Sequence, residues 1–264
     1  MPTPPLSLPA LVQALGDHAC RFDADLIECC DSTNRVLMTR AEAGAPSGSV
    51  VIATAQTAGR GRLGRQWIAA PGDSLTFSLL WRFPPGTLPL GLSLAVGLAV
   101  ANALEKVGAG MTVPPPPIQL KWPNDLLVSG KKLGGILIEL VPGTPHAAVI
   151  GIGLNLQLPA GMPPELRARS AALGLDVNLN AVLAVMLVEL TTVLDRFATG
   201  GFACLRDAWS ARHAHADAAV QITAEFTPAR TGICRGIDTD GALLLEVDGG
   251  IERVLSGDVS LRPA

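Results

Sequence analysis

The sequence predicts an α+β chain: a mixed, largely antiparallel central sheet flanked by helices, with a small all-β part following it. Three observations lead there. Between residues 118 and 158, four apolar segments are separated by tight turns, the pattern of a strand meander. Two long apolar stretches, 91–107 and 180–198, carry helical spacing. From about residue 217 the helical spacing ends, and short strands alternate with turns such as "TDG" and "DGG".

In chain order, residues 8–16 read as a short helix. "VVIAT" (50–54) is a β-branched run that suits a buried strand, and "SLTFSLLWRF" (74–83) alternates like a second one. Residues 88–104 carry no charge, which raises the question of a membrane span. The stretch is short for one and contains Gly, Ser, Asn and Pro, so a buried helix over 91–107 is the reading adopted. "VPPPP" (113–117) is expected to be an extended connector, because its prolines forbid both helix and strand pairing.

"IQLKW", "DLLV", "LGGILIEL" and "AAVIGIGLNLQL" form the meander, with "SGK" (129–131) and "PGTP" (142–145) as its returns. Asn180 is the expected N-cap of the helix over 180–198, Gly200-Gly201 breaks it, and 202–212 forms another short helix. The last strands are too few and too short for a large sheet and suggest a small β-barrel of the SH3 type. The expected division is 1–216 for the larger domain and 217–264 for the smaller.

The chain has 264 residues, 48% of them hydrophobic, with no tyrosine and 4% aromatic residues. A sizeable core is therefore available, built mostly from Leu, Val, Ile and Ala. The net charge of -3 argues against a surface that binds nucleic acid as a whole. The five cysteines are odd in number and lack zinc-site spacing, which suits free thiols in a reducing cytoplasm. The first residues show no signal-peptide pattern. A cytoplasmic protein without membrane attachment is expected.

The strongest chemical signal is "QTAGRGRLGRQW" (56–67). Arg60, Arg62 and Arg65 alternate with Gly59, Gly61 and Gly64. Guanidinium groups fork onto phosphate or carboxylate oxygens, and glycine lets backbone N–H groups approach an anion. The segment reads as a mobile anion cradle, with Trp67 placed to cover an apolar ligand. The competing reading, an RGG-like nucleic-acid segment, fits poorly because such segments repeat and this one occurs once.

"KWPND" (121–125) offers Lys121 to a phosphate and the oxygens of Asn124 and Asp125 to Mg²⁺. It reads equally well as a turn capped by Asn124 and Asp125. "GKKLGGILIEL" (130–140) places Lys131 and Lys132 before a strand interrupted by glycines, where a ligand approaches backbone closely, or else forms a hairpin with solvated lysines. "GIGLN" (151–155) has the same character and is no dinucleotide fingerprint. There is no phosphate-binding GxxxxGK[ST] loop and no G-x-S-x-G elbow. His213 and His215 are wrongly spaced to share a helix face.

Taken in order, "DSTN" (31–34), "QTAGRGRLGRQW", "KWPNDLLV", "KKLGGILIE", "GIGLN" and "GICRGIDTDGALLLE" (232–246) resemble the biotin–protein ligase family over roughly residues 28–262. The resemblance implies the biotin/lipoate ligase catalytic fold with a C-terminal SH3-like domain. It implies a two-step reaction: biotin and MgATP give biotinyl-5′-AMP and pyrophosphate, and a lysine of a biotin carboxyl carrier protein, the acetyl-CoA carboxylase subunit, then takes the biotinyl group. It places Ser32, Thr33, Asn34 and Gln56 around the ureido ring.

Gly59, Arg60, Gly61 and Arg62 would then lie on the closing loop, with Arg60 and Arg62 also catalytic. Lys132 becomes the key catalytic lysine, and Gly135 and Gly151 let the strands approach biotin. Trp67, Lys121, Asn124, Asn155 and Arg235 fall to ATP and the adenylate, and Asp125 with Asn124 to Mg²⁺. Leu63 and Gln66 depart from members that carry Arg and Lys there. Only thirty-one residues precede Ser32, so no winged-helix domain, no DNA binding and no repressor activity are expected. Monomer and homodimer both stay open. The rival readings are a lipoate or octanoate ligase of the same superfamily and a non-enzymatic anion- or nucleic-acid-binding module.

Overall fold

The order of elements follows from where apolar runs end and turn residues begin. A computed structural model describes residues 5–68, 71–109, 116–174, 177–224, 228–257 and 259–264. The first half contains α1 (Leu8–Leu15), β1 (Asp23–Cys30), α2 (Thr33–Glu42), β2 (Ser49–Gln56), β3 (Ser74–Arg82) and α3 (Leu92–Ala109). Then come β4 (Ile118–Lys121), β5 (Asp125–Val128), β6 (Lys131–Val141), β7 (Thr144–Asn155), α4 (Pro164–Arg169), α5 (Leu179–Gly200) and α6 (Arg206–Ser210). The chain closes with β8 (Ala219–Ala224), β9 (Arg230–Ile237), β10 (Leu243–Val247), β11 (Gly250–Val254) and β12 (Val259–Pro263).

The large sheet has the order β1-β2-β3-β7-β6-β5-β4, and only its β1–β2 pair is parallel. The meander over β4–β7 is the one the sequence predicts. Its β5–β6 hairpin turns at Ser129 (φ 50°) and Gly130 (φ 74°), the positive pair that matches strand twist in a two-residue loop. Of the expected connector over 113–117, Val113, Pro114 and Pro115 lie outside the described residues.

Strand alternation divides the sheet into two faces. Val50, Ile52, Phe77, Leu79, Ile150 and Ile152 point to the side covered by α3, α5 and α1, and form the main core. Val51, Leu80, Ala147 and Val149 point the other way and meet Leu37 and Ala41 of α2 in a second, smaller core. β3 is covered on both faces, and its residues 75–81 are all buried. α3 is long and apolar enough to cross a membrane by length and composition. Here it packs on α5 and on the sheet, where Ile136 and Leu120 close on the bare backbone of Gly97.

Two local expectations change. The N-cap of α5 is Asn178, whose side chain accepts from the Asn180 backbone N–H at 3.0 Å. Asn180 is fully buried instead, and its amide ties down the N-terminal segment through Ser7 N (2.9 Å) and Pro5 O (3.2 Å). The helix expected over 202–212 is a 3₁₀ turn at Phe202–Cys204 followed by the short α6. In the C-terminal part the five strands pair antiparallel in the order β11-β10-β9-β8-β12, and no ladder among the described residues closes them into a barrel.

This small sheet is fastened to the large one at a buried joint. Trp122, fully buried, donates its indole N–H to the Gly241 carbonyl at 3.0 Å. Leu120 and the 212–214 segment exchange backbone hydrogen bonds of 2.8 and 2.9 Å. His213 packs 4.8 Å from the Trp209 ring, with Cys234 Sγ 3.9 Å from its Nε2.

Burial, assisted by neighbouring His215, pushes the His213 pKa down to about 4. The ring is therefore neutral in the fold and binds a proton more readily when unfolded. Its contribution is complete above the unfolded value near 6.5 and is lost as pH falls toward 4, by about 3 kcal/mol in all. Urea unfolding across pH 4 to 7 is expected to show this slope, and His213→Gln is expected to flatten it.

Candidate active site

The face of the sheet under α2 turns polar where α2 begins. By the alternation that puts Leu80 in the small core, Ser78 and Thr76 of β3 lie on the same face, beside Gly151 and Gly153 of β7. Onto this floor the start of α2 lowers Ser32, Thr33 and Asn34, all three buried. Ser32 is the extended N-cap residue, and Asp31 Oδ1 accepts its backbone N–H at 2.7 Å.

Gln56, at the end of β2, accepts from both the Thr33 backbone N–H (2.7 Å) and the Thr33 hydroxyl (3.2 Å) through one oxygen. Ser78 Oγ lies 2.8 Å from Thr33 Oγ1 and 2.6 Å from Asn34 Oδ1. A serine has one proton to give and here faces two acceptors. The floor is thus richer in acceptors than in donors. Gly151 makes this packing feasible: a Cβ there would stand 2.2 Å from Asn34 Oδ1.

Next to the floor stands a wall of charge. The β4–β5 hairpin places Lys121 opposite Asp125, and β6 brings Lys132 to the same carboxylate. Lys132 Nζ is 2.6 Å from Asp125 Oδ1, and Lys121 Nζ is 3.3 Å from Oδ2. Burial alone would push the Asp125 carboxyl upward; the ammonium groups of Lys132 and Lys121 outweigh it and hold the pKa below its ordinary value. Gly135 pairs with Asp125 just beneath the Lys132 side chain.

Asn155, at the end of β7, donates to the carbonyls of Lys132 (3.3 Å) and Ala171 (2.9 Å), so its amide pins the 171 segment against β6. The Trp67 indole lies on the bare backbone of Gly153, where a Cβ would meet the ring at 2.4 Å. Its buried Nε1 meets no acceptor among the described residues, and Lys132 Nζ sits 6.0 Å from the ring centre.

The arginine loop closes over this region as a tight return. Gly61 N–H donates to Arg65 O at 2.7 Å, Trp67 N–H to Gly59 O at 2.8 Å, and Leu63 and Gly64 take the left-handed conformation. Arg60 Nη1 is 3.7 Å from Glu139 Oε1 of β6. Arg62 reaches Asn124 Oδ1 at 3.4 Å and the backbone carbonyls of Ser256 and Gly257, beyond β11, and of Val259, the first residue of β12.

Lys132, Lys121, Asp125, Asn124, Trp67, Arg60 and Arg62 are therefore drawn together, and Ser32, Thr33, Asn34, Gln56 and Gly151 form the floor beside them. Arg235 is not joined to them: its guanidinium bonds to Glu246 and, at 2.8 Å, to Asp217. Asn124 holds the Ile136 carbonyl through its amide N–H at 2.9 Å. Among the described residues no cluster of three or more His, Cys, Asp or Glu is arranged for a metal. Ser78, Glu139 and the carbonyls of Ser256, Gly257 and Val259 belong to the site without having been legible beforehand. Ser78 shows one signal, a serine on the β3 alternation whose neighbours on that strand are apolar.

Comparison with known proteins agrees with this architecture. Residues 26–155 match the biotin/lipoate A/B protein ligase family, and residues 220–262 match the biotin protein ligase C-terminal domain. The fold and site thus define a ligase of the biotin and lipoate class. The chain is 35% identical to the bifunctional ligase/repressor BirA of Escherichia coli, over 98% of this chain and 81% of that protein. It is 35% identical to the biotin–[acetyl-CoA-carboxylase] ligase of Mycobacterium tuberculosis, over 94% of this chain and 92% of that one. The biotin protein ligase of Aquifex aeolicus, solved with biotin and ATP, superposes with a TM-score of 0.79 at 31% identity, covering 92% of this chain and 99% of that one. The chain belongs to the biotin–protein ligase family.

Gly151→Ala is expected to displace the Asn34 side chain and break its bond to Ser78, at a cost of about 1–3 kcal/mol. Chemical denaturation checks this. An unchanged unfolding midpoint would mean that Asn34 moves freely aside.

Proposed function

We propose that this chain is an ATP-dependent biotin–protein ligase. It activates biotin as biotinyl-5′-AMP and transfers the biotinyl group to a lysine of the biotin carboxyl carrier protein of acetyl-CoA carboxylase. One observation carries the reading: a buried floor short of donors lies directly beside two lysines on one carboxylate, under an arginine loop. A ureido ring brings N–H donors for Asn34 Oδ1 and Thr33 Oγ1, and its own carbonyl suits donors at Ser32 and Gln56. The aliphatic ring and valerate chain then run along Gly151 and Gly135 toward Lys132.

Activation is a displacement at the α-phosphorus, in which a biotin carboxylate oxygen forms the new P–O bond and pyrophosphate leaves. Negative charge is present on both reactants, so the protein's task is to neutralise and orient them. Lys132 is placed for the biotin carboxylate and the bridging phosphate oxygen, with Arg60 and Arg62 closing above. Lys121, Asn124, Asn155 and Trp67 form the nucleotide side. Phosphate oxygens compete with Asp125 for both lysines, so ligand binding exchanges one counter-ion for another.

Mg²⁺ arrives as part of the nucleotide substrate. While both Asp125 oxygens face ammonium groups they are poor ligands for it, and they become available only as the lysines turn to phosphate. Arg235, neutralised by Asp217 and Glu246, must leave those carboxylates to reach a phosphate. In the second step the carrier lysine attacks the acyl carbon of the mixed anhydride and AMP departs.

The direct test mixes the chain with biotin, MgATP and a carrier domain and probes the carrier with streptavidin; an unlabelled carrier would overturn the reading. Replacing biotin by lipoate in the same assay separates the two ligase activities, and the match of residues 220–262 to the biotin ligase C-terminal domain favours biotin. Lys132→Ala is expected to lower biotin-dependent pyrophosphate release by at least ~100-fold in a chain that still folds. Trypsin is expected to cut the 59–65 loop more slowly in the presence of biotin and MgATP than without them.

A further inference from the structure

The carboxylate of Glu139 touches two parts of the site that are far apart in sequence. One oxygen accepts from Asn34 Nδ2 at 2.7 Å, and the other faces Arg60 Nη1 at 3.7 Å. We propose that Glu139 is a positioning residue, which fixes the acceptor face of the pocket through Asn34 and tethers the arginine loop through Arg60. The pocket half of the inference rests on the biotin reading above.

The argument begins with the amide of Asn34, whose oxygen and nitrogen can exchange places by a half-turn of the side chain. Two orientations are sterically equivalent, and only hydrogen bonding selects between them. Glu139 Oε2 and the Leu137 carbonyl (3.3 Å) are both acceptors, so the NH₂ group must face β6. Oδ1 must then face Ser78, Gly151 and the floor. In that orientation the pocket accepts a ligand N–H. In the flipped one it would present a donor, and a ureido N–H would be repelled.

An ionised carboxylate enforces the choice because it cannot donate at all. A glutamine at 139 satisfies either orientation, so the choice is left to the longer bond to the Leu137 carbonyl and to Ser78 and is weakened. Residue 139 sits at the right place for this by strand period: Gly135, Leu137 and Glu139 share the face of β6 that looks toward α2.

The loop half is independent of any ligand. Arg60 is on the loop that Arg62 fastens at another point, to Asn124 and the C-terminal segment, and its side chain is more than half exposed. Among the described residues Glu139 is the carboxylate within reach of it, and β6 is an interior strand of the large sheet, paired on both sides. The same side chain therefore senses the floor and restrains the lid, an arrangement that links lid position to the state of the pocket.

The experiment compares wild type, Glu139→Gln, Asn34→Ala and the double variant. For Glu139→Gln the KM for biotin is expected to rise roughly tenfold, with kcat and the KM for ATP changed less than about threefold. If Glu139 acts through Asn34, the same change in the Asn34→Ala background is expected to add nothing further to the biotin KM. Without ligand, trypsin is expected to cut within 60–65 about two- to threefold faster in Glu139→Gln than in wild type, as loss of an exposed ion pair allows.

An unchanged biotin KM, or effects that add fully in the double variant, would overturn the pocket half. Unchanged cleavage would overturn the tether. A parallel fall in kcat and thermal midpoint with no change in biotin KM would assign Glu139 to stability instead. Failure of wild type itself to release pyrophosphate with biotin would overturn the biotin reading and the pocket half with it, while the ligand-free cleavage still decides the tether.

Discussion

The chemistry of this chain depends on one carboxylate held between two ammonium groups. Asp125 lies at the start of a four-residue strand, too short to fix a long side chain by packing. Its partners come from the strands on either side, Lys121 from β4 and Lys132 from β6. The ion pairs collect two positive charges at one point without leaving either unpaired, which a partly buried site does not tolerate. In the proposed reaction, a phosphate entering there would replace an anion already present. The desolvation of the lysines has been met by the fold, so the site is organised for negative charge before any substrate arrives.

The same economy extends across the sheet. Its two faces are built from alternate residues of the same strands, and one face must be an uninterrupted core so that the other can be irregular. Phe77 and Leu79 anchor β3 among α3 and α5, while Ser78 between them turns to the floor. Ile150 and Ile152 do the same for β7, which leaves Gly151 and Gly153 bare for Asn34 and Trp67. The glycines therefore carry little stability themselves, and the strands survive them because of their neighbours one residue away.

How much of this was legible depended on which atoms make each contact. The meander over β4–β7, the two long helices and the change of character near 217 follow from apolar period and turn residues, and these were readable. β1 and α2 were not: β1 is an edge strand of mixed exposure with acidic residues along it, and α2 is a ten-residue helix that buries only Leu37 and Ala41 as apolar anchors. Asn180 carries the residue type of a cap, yet the backbone path gives that role to Asn178. Arg60, Arg62, Lys121 and Lys132 advertise themselves by charge on glycine-rich or turn-rich backbone. Glu139 and Ser78 do not, because an acid or a serine in a strand is ordinary until its neighbours across the sheet are known. Arg235 shows the converse case, a cation whose nearest carboxylates, Asp217 and Glu246, had no visible link to it in the sequence.

The grip of Arg62 on the far domain has a consequence for how sequence and function are related there. Its guanidinium takes main-chain carbonyls of Ser256, Gly257 and Val259. Contacts of this kind depend on the course of the chain as well as on what it is made of. An insertion of a single residue between β11 and β12, chemically innocuous, would move these carbonyls out of register with the guanidinium. At this point spacing itself is under constraint.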